Sequence, residues 1–144
     1  MDSLDRSRLL DRLKLDEGCV LHAYKDTVGV TTIGIGRNID GDHGGGITLD
    51  EALYLLQNDV GRVLIQIASY PWFKNQDSVR QAALAQLTFN LGLAGLLHFP
   101  HFLAAMMVND YATAAKELTD TPWHSQVGAR GDRIIAQITK GEWP

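Results

Sequence analysis

Leu15-Asp16-Glu17-Gly18-Cys19-Val20-Leu21-His22-Ala23-Tyr24-Lys25-Asp26-Thr27-Val28-Gly29-Val30-Thr31-Thr32-Ile33-Gly34-Ile35-Gly36 decides how this chain folds. Ahead of it, Leu9, Leu10 and Leu13 repeat at helical spacing, and Glu17 falls four residues after Leu13 on the same stripe. Gly18 is a natural left-handed stop for that helix. Val20–Lys25 and residues 30–36 then read as two short strands around the turn composition Asp26-Thr27-Val28-Gly29. In the second run, Val30, Thr32, Gly34 and Gly36 share a small, partly polar face; Thr31, Ile33 and Ile35 share an apolar one that should cover a small core. Glycine inside a strand commonly marks close approach of a ligand to the backbone.

The position of Glu17 is chemically unusual. On the apolar stripe it is desolvated, and at a helix C-terminus it meets the negative end of the dipole. Both effects favour the protonated carboxyl, as a general acid near neutral pH requires. On the helix alone, a partly exposed Glu on a frayed end is the plainer reading.

Beyond the strands, residues 38–46 form a glycine-rich stretch expected to be a flexible loop. Thr48 and Glu51 make a capping box that opens a long amphipathic helix ended by Pro71. Further helices are expected over residues 77–91 (stopped by Gly92), 102–108, 111–118 (capped by Asp110) and Ala129–Lys140 (before Gly141), with a turn from Pro122. The order predicts an α+β architecture of one domain, residues 1–144. A small β-hairpin lobe, about 18–46, is joined by the long helix to a larger helical lobe, with a cleft between them.

Of 144 residues, 45% are hydrophobic and 21% charged, enough for a real core. A net charge of −4 argues against a nucleic-acid binder and offers no electrostatic help towards an anionic wall. Cys19 is the one cysteine, so no intrachain disulfide forms, consistent with synthesis in a reducing cytosol. The run Met1-Asp2-Ser3-Leu4-Asp5-Arg6 lacks the apolar core of a secretory signal. The expectation is a chain made in the cytoplasm without membrane insertion.

A helix end, a tight turn and a returning strand can bring Glu17, Asp26 and Thr32 around one opening. Inverting glycoside cleavage wants a protonated acid on the leaving oxygen and a separate carboxylate that activates water from the opposite side. Asp26, in a polar turn, should stay ionised, and the Thr32 hydroxyl can hold the water with it.

The blocks Leu15-Asp16-Glu17-Gly18, Tyr24-Lys25-Asp26-Thr27-x-Gly29 and Thr32-Ile33-Gly34-Ile35-Gly36 resemble the active-site signature of the phage-type lysozymes, the endolysin muramidases. Asp50-Glu51-Ala52, Phe89-Asn90-x-Gly92 and the C-terminal Trp123, Arg130, Arg133 and Gly141-Glu142-Trp143 extend the likeness over nearly the whole chain. The resemblance implies a lysozyme-like fold with Glu17 as general acid and Asp26 with Thr32 positioning the attacking water. The bond cut would be the β-1,4 link between N-acetylmuramic acid and N-acetylglucosamine in peptidoglycan glycan strands. Arg130 matches the arginine that approaches the catalytic Glu, and Asn90 a polar position that can hold a sugar. No metal or cofactor is implied. The protein would act as a monomer on the periplasmic wall, reached after a membrane-permeabilising partner has opened the inner membrane. Where the family often carries His, this chain has Arg37, and an Arg37–Asp59 ion pair is expected.

Other features weigh less. His98 with His101, and His43 with Asp40 and Asp42, offer too few ligands for zinc or calcium. Cys19 reads as a half-buried structural thiol. Of Trp72, Trp123 and Trp143, expected mainly in the core, only Trp123 competes as a sugar-stacking ring. Asn90 reads both as a helix-end cap and as a cleft residue. The rival functions are a lytic transglycosylase, which needs no Asp26–Thr32 pair, and a non-catalytic peptidoglycan-binding or tail-associated module.

Overall fold

Gly18 adopts φ 73° and its N–H bonds the Lys14 carbonyl at 3.1 Å, so α1 (Ser3–Glu17) ends where its stop was expected. The computed structural model describes residues 3–144. Met1 and Asp2, which begin the run read above as non-secretory, lie outside the described residues.

After α1 come β1 (Val20–Lys25), β2 (Thr31–Gly34) and β3 (Arg37–Asn38), one antiparallel sheet in the order β1-β2-β3. Residues 30–36 are therefore not one strand. Gly34 and Gly36 hold φ 67° and 65°, a left-handed backbone foreign to a strand. The chain reverses there, pairing Ile33 with Arg37 and Thr32 with Asn38. The expected facial pattern is lost with it: Thr32 is the buried position, and Ile35 stands 44% exposed on the turn.

α2 (Leu49–Ile67) opens on the expected capping box, Thr48 N–H donating to Glu51 Oε2 at 2.7 Å and Glu51 N–H to Thr48 Oγ1 at 3.3 Å. The chain divides into two compact units inside this helix, one ending at Leu53 and one spanning Tyr54–Pro144.

The second unit is helical. α2 stops at Ile67, and Pro71 starts α3 (Pro71–Lys74) instead, at a first-turn position where its missing N–H costs nothing. α4 (Ser78–Leu96) is capped by Asp77, whose Oδ1 accepts the N–H groups of Val79 and Arg80, each at 3.0 Å. Gly92 leaves helical geometry at φ 71°, ψ 159°, but the helix resumes to Leu96, so the expected stop is a kink. α5 (Pro100–Met107), α6 (Tyr111–Thr119), α7 (Pro122–Val127) and α8 (Ala129–Lys140) follow, α6 capped by Asp110 and α8 closed by left-handed Gly141. Leu84, Leu87, Leu96, Phe102, Met106, Leu118, Ile134 and Ile138 form the fully buried centre. Arg80 ties this unit together. It donates from Nε to Ile138 O at 2.7 Å, pairs with Asp77 at 2.5 Å and lies 3.7 Å over the Tyr111 ring. Among the described residues no single helix is long and apolar enough to cross a membrane.

Candidate active site

Glu17 is the last residue of α1, and its side chain leans over the β2–β3 turn. A Cβ built on Gly36 would stand 3.0 Å from Glu17 Oε2 and 3.3 Å from Cδ. Only glycine leaves that space while holding a positive φ. Its own unit does not supply the desolvation expected of Glu17: Glu17 is exposed, as are Leu9 (44%), Leu10 (59%) and Leu13 (43%). A three-stranded sheet with a two-residue edge offers the stripe of α1 too little surface to cover it.

Asp26 organises the β1–β2 turn. Its Oδ1 accepts the N–H groups of Val28 at 2.9 Å and Val30 at 2.8 Å, and its carbonyl takes the N–H of Gly29 at 3.1 Å. Among the described residues no hydrogen bond occupies Oδ2, so one oxygen fixes the carboxylate and the other is open to solvent-borne groups. Thr32, 4% exposed, donates its hydroxyl to Val30 O at 3.2 Å, which leaves its oxygen lone pairs free to accept. Val30 is thus the hub that brings Asp26 and Thr32 together: its N–H serves one and its carbonyl the other.

The loop after β3 is bonded throughout rather than loose, and its centre is Asp40, which the sequence offers only as a poor metal ligand. Asp40 Oδ2 accepts Thr31 N–H and Thr31 Oγ–H, both at 3.0 Å, and Lys25 Nζ at 3.3 Å. Oδ1 accepts Asp42 N–H at 3.2 Å and lies 3.2 Å from His43 Nδ1. Asn38 clips the base, accepting Asp40 N–H at 2.8 Å and donating to His43 O at 3.1 Å. The Thr31 backbone N–H above all, then His43, hold the Asp40 carboxyl well below the usual range against the opposing effect of burial, with weaker help from the Thr31 hydroxyl and Lys25. The sequence signal was Asn38-x-Asp40, a side-chain-to-backbone turn motif, obscured by the glycines that follow.

The expected Arg37–Asp59 pair is replaced by two others. Arg37 pairs with Glu51 and Asp59 with Arg62. Glu51 sits in the first turn of α2, within reach of β3, whereas Asp59 lies two turns on, roughly 12 Å along the axis, beside its own i+3 partner.

The remaining expected residues lie in the second unit. Asn90 Oδ1 accepts the indole N–H of Trp123 at 2.7 Å, so Asn90 keeps only its amide donors for another partner. Trp123 is 5% exposed and packed in the core, which leaves no ring face for a sugar; a large indole with a satisfied N–H is well placed buried. Arg130 lines an apolar groove of about 370 Å³ with Leu56, Val60, Phe89 and Trp143. Trp143 is 67% exposed, unlike core Trp72. Cys19 is exposed rather than half-buried. His98 and His101 line a second cavity of about 200 Å³ with Glu117 and Asp120.

The arrangement offers an exposed carboxyl at the end of α1 against Gly36, a clamped carboxylate with one open oxygen on the β1–β2 turn, and a hydroxyl acceptor on β2. The family model described as phage lysozyme matches residues 14–138. Probable T4-type lysozyme 1 of Dictyostelium discoideum is 31% identical, the alignment covering 94% of this chain and 95% of that protein. Probable T4-type lysozyme 2 of the same organism is 30% identical over 94% of this chain and 95% of its own length. The pre-baseplate central spike protein Gp5 of Enterobacteria phage T4 is 30% identical over 92% of this chain, which spans 28% of that protein. The chain therefore belongs to the phage lysozyme family, as a lysozyme-like peptidoglycan hydrolase.

Proposed function

We propose that this protein is an endolysin muramidase, cutting the β-1,4 bond from N-acetylmuramic acid to N-acetylglucosamine with inversion. Glu17 protonates the leaving oxygen, and Asp26 with Thr32 holds and activates the water that attacks from the opposite face. The observation that carries this reading is the division of labour within Asp26. Two backbone N–H groups fix one carboxylate oxygen, and the other remains open beyond a turn that also anchors Thr32 through Val30. A lytic transglycosylase needs no such water-holding pair. The protein works as a monomer during host lysis. Made in the cytoplasm, it reaches the wall once a membrane-permeabilising partner has opened the inner membrane; its single exposed cysteine suits that reducing origin.

Similarity to a central spike protein supports a second reading, a wall-penetrating module of a phage particle. Digestion of purified peptidoglycan separates the chemistries. Muramidase action gives reducing N-acetylmuramic acid ends, α-configured when first formed. 1,6-Anhydro ends would establish a transglycosylase, and wall binding without soluble fragments would establish a non-catalytic module.

A further inference from the structure

The β2–β3 ladder is two pairs long, yet β2 continues past it. A strand residue's N–H and C=O point to the same side, so both polar groups of Thr31 face the β3 edge. The Thr31 carbonyl finds Ile39 N–H at 2.9 Å. Its N–H finds no backbone acceptor there, because the chain has turned into the Gly41–His43 3-10 turn. Asp40 Oδ2 supplies that acceptor and takes the Thr31 hydroxyl as well. A side chain thereby completes the ladder at the residue directly before Thr32.

We propose that Asp40 is a positioning residue for the hydrolytic half of the site, locking Thr31 so that Thr32 and, through Val30, Asp26 hold the attacking water in line. The proposal rests on the muramidase reading of Asp26 and Thr32. The strand is gripped at two consecutive residues. Asp26 takes Val30 N–H at 2.8 Å, and Asp40 takes Thr31 N–H at 3.0 Å. Thr32, next in line, has no long-range side-chain bond to set its own position, since among the described residues its hydroxyl bonds only to Val30 O. Oδ1, meanwhile, is held by Asp42 N–H and by His43, so the carboxylate cannot swing away when Lys25 Nζ, on a largely exposed side chain, exchanges with solvent.

The test is steady-state turnover of the full chain on purified peptidoglycan, with folding followed by circular dichroism at the assay temperature. Asp40→Ala should lower kcat by about 100-fold, the scale of a roughly 1 Å misplacement, with KM nearly unchanged. Asp40→Asn, which keeps one acceptor oxygen for Thr31, should recover most of this, to within about tenfold of the parent. Lys25→Met should stay within about threefold, because it removes only a screened contact. Should Asp40→Ala fail to fold, Asp40→Asn and Thr31→Val carry the test through a fall in kcat at constant KM. Parental kcat in Asp40→Ala, a loss appearing in KM, or a loss that tracks the unfolded fraction overturns the proposal. Asp26→Asn is measured alongside. Parental turnover there removes the muramidase reading itself, whereas loss there with none in Asp40→Ala removes only the role of Asp40.

Discussion

The two units of this chain are held together by different physics. Up to Leu53, the one buried described side chain is that of Thr32, and order comes from polar clamps: Asp26 on the first turn, Asp40 in the loop after β3, Glu51 across to Arg37. From Tyr54 onwards, a continuous apolar core built on Leu84, Leu87, Phe102, Met106 and Ile138 carries the structure. A segment of some fifty residues buries too little surface to support a core of its own. The lesson concerns rigidity: the unit proposed to do the chemistry fixes its reactive groups by hydrogen bonds, which set direction as well as distance, and leaves close packing to the other unit.

The largest effect that would break this comparison is catalytic. Glu17→Gln keeps the shape but removes the transferable proton, so kcat on peptidoglycan should fall by about 10²–10⁴. Glu17 is exposed, and its side chain makes no hydrogen bond among the described residues, so the thermal midpoint should not move. Substantial residual lysis would displace Glu17 as the acid. The counterpart is Phe102→Ala, at a side chain 1% exposed. Denaturant unfolding should show a loss of about 3–5 kcal/mol. A loss under 1 kcal/mol would mean that the helical unit does not depend on its apolar centre.

Acid should separate the units next. Asp40 in the folded chain gives up its proton more readily than in the unfolded one, chiefly through Thr31 N–H. Its contribution is therefore complete above the ordinary carboxylate value, near pH 4, and drains away as pH falls below it. Amide exchange reads this locally. Protection of Ile39 N–H, donated to Thr31 O, should drop by about tenfold per pH unit per carboxylate protonated. Amides of Leu84 and Leu87 should hold longer. The helical unit has depressed carboxyls too, Asp77, where burial is outweighed by Arg80 and Val79, and Asp110, through the Thr113 hydroxyl and N–H, but its core does not titrate. Simultaneous loss of both sets of amides would refute the distinction.

What the sequence made legible follows the same divide. The helices from Ser78 onwards are readable where caps such as Asp77 and Asp110 and the stop at Gly141 give local signals, but α4 runs past the expected stop at Gly92, and the turn expected from Pro122 is the helix α7. The sheet was half readable. Val20–Lys25 emerged whole, but alternation carried the second strand through Gly34 and Gly36, where positive φ makes a third strand instead. Asp26 and Thr32 stand out as candidates by type and spacing. Asp40 does not, because its main partner, Thr31, lies nine residues back across a turn that was not foreseen. Exposure of Glu17 escaped as well: periodicity shows which residues share a helix face, not whether anything covers it.

The smallest effect tests the corrected ion pair. Thr48 caps α2 and bonds Glu51, which in turn meets Arg37 on β3, so this corner binds sheet to helix within one unit. Thr48→Ala should cost about 1 kcal/mol, as loss of an N-cap does. Among the described residues Asp59 pairs only with Arg62 on the same exposed helix surface, and Asp59→Asn should change stability by no more than about 0.5 kcal/mol. The order of these two values is what matters. A cost at Asp59 equal to or above that at Thr48 would return Asp59 to the role first expected of it, and the polar corner would lose its claim to organise the sheet. A cost at Thr48 alone would locate the effect in the capping box, one more place where this unit relies on directed hydrogen bonds in place of buried surface.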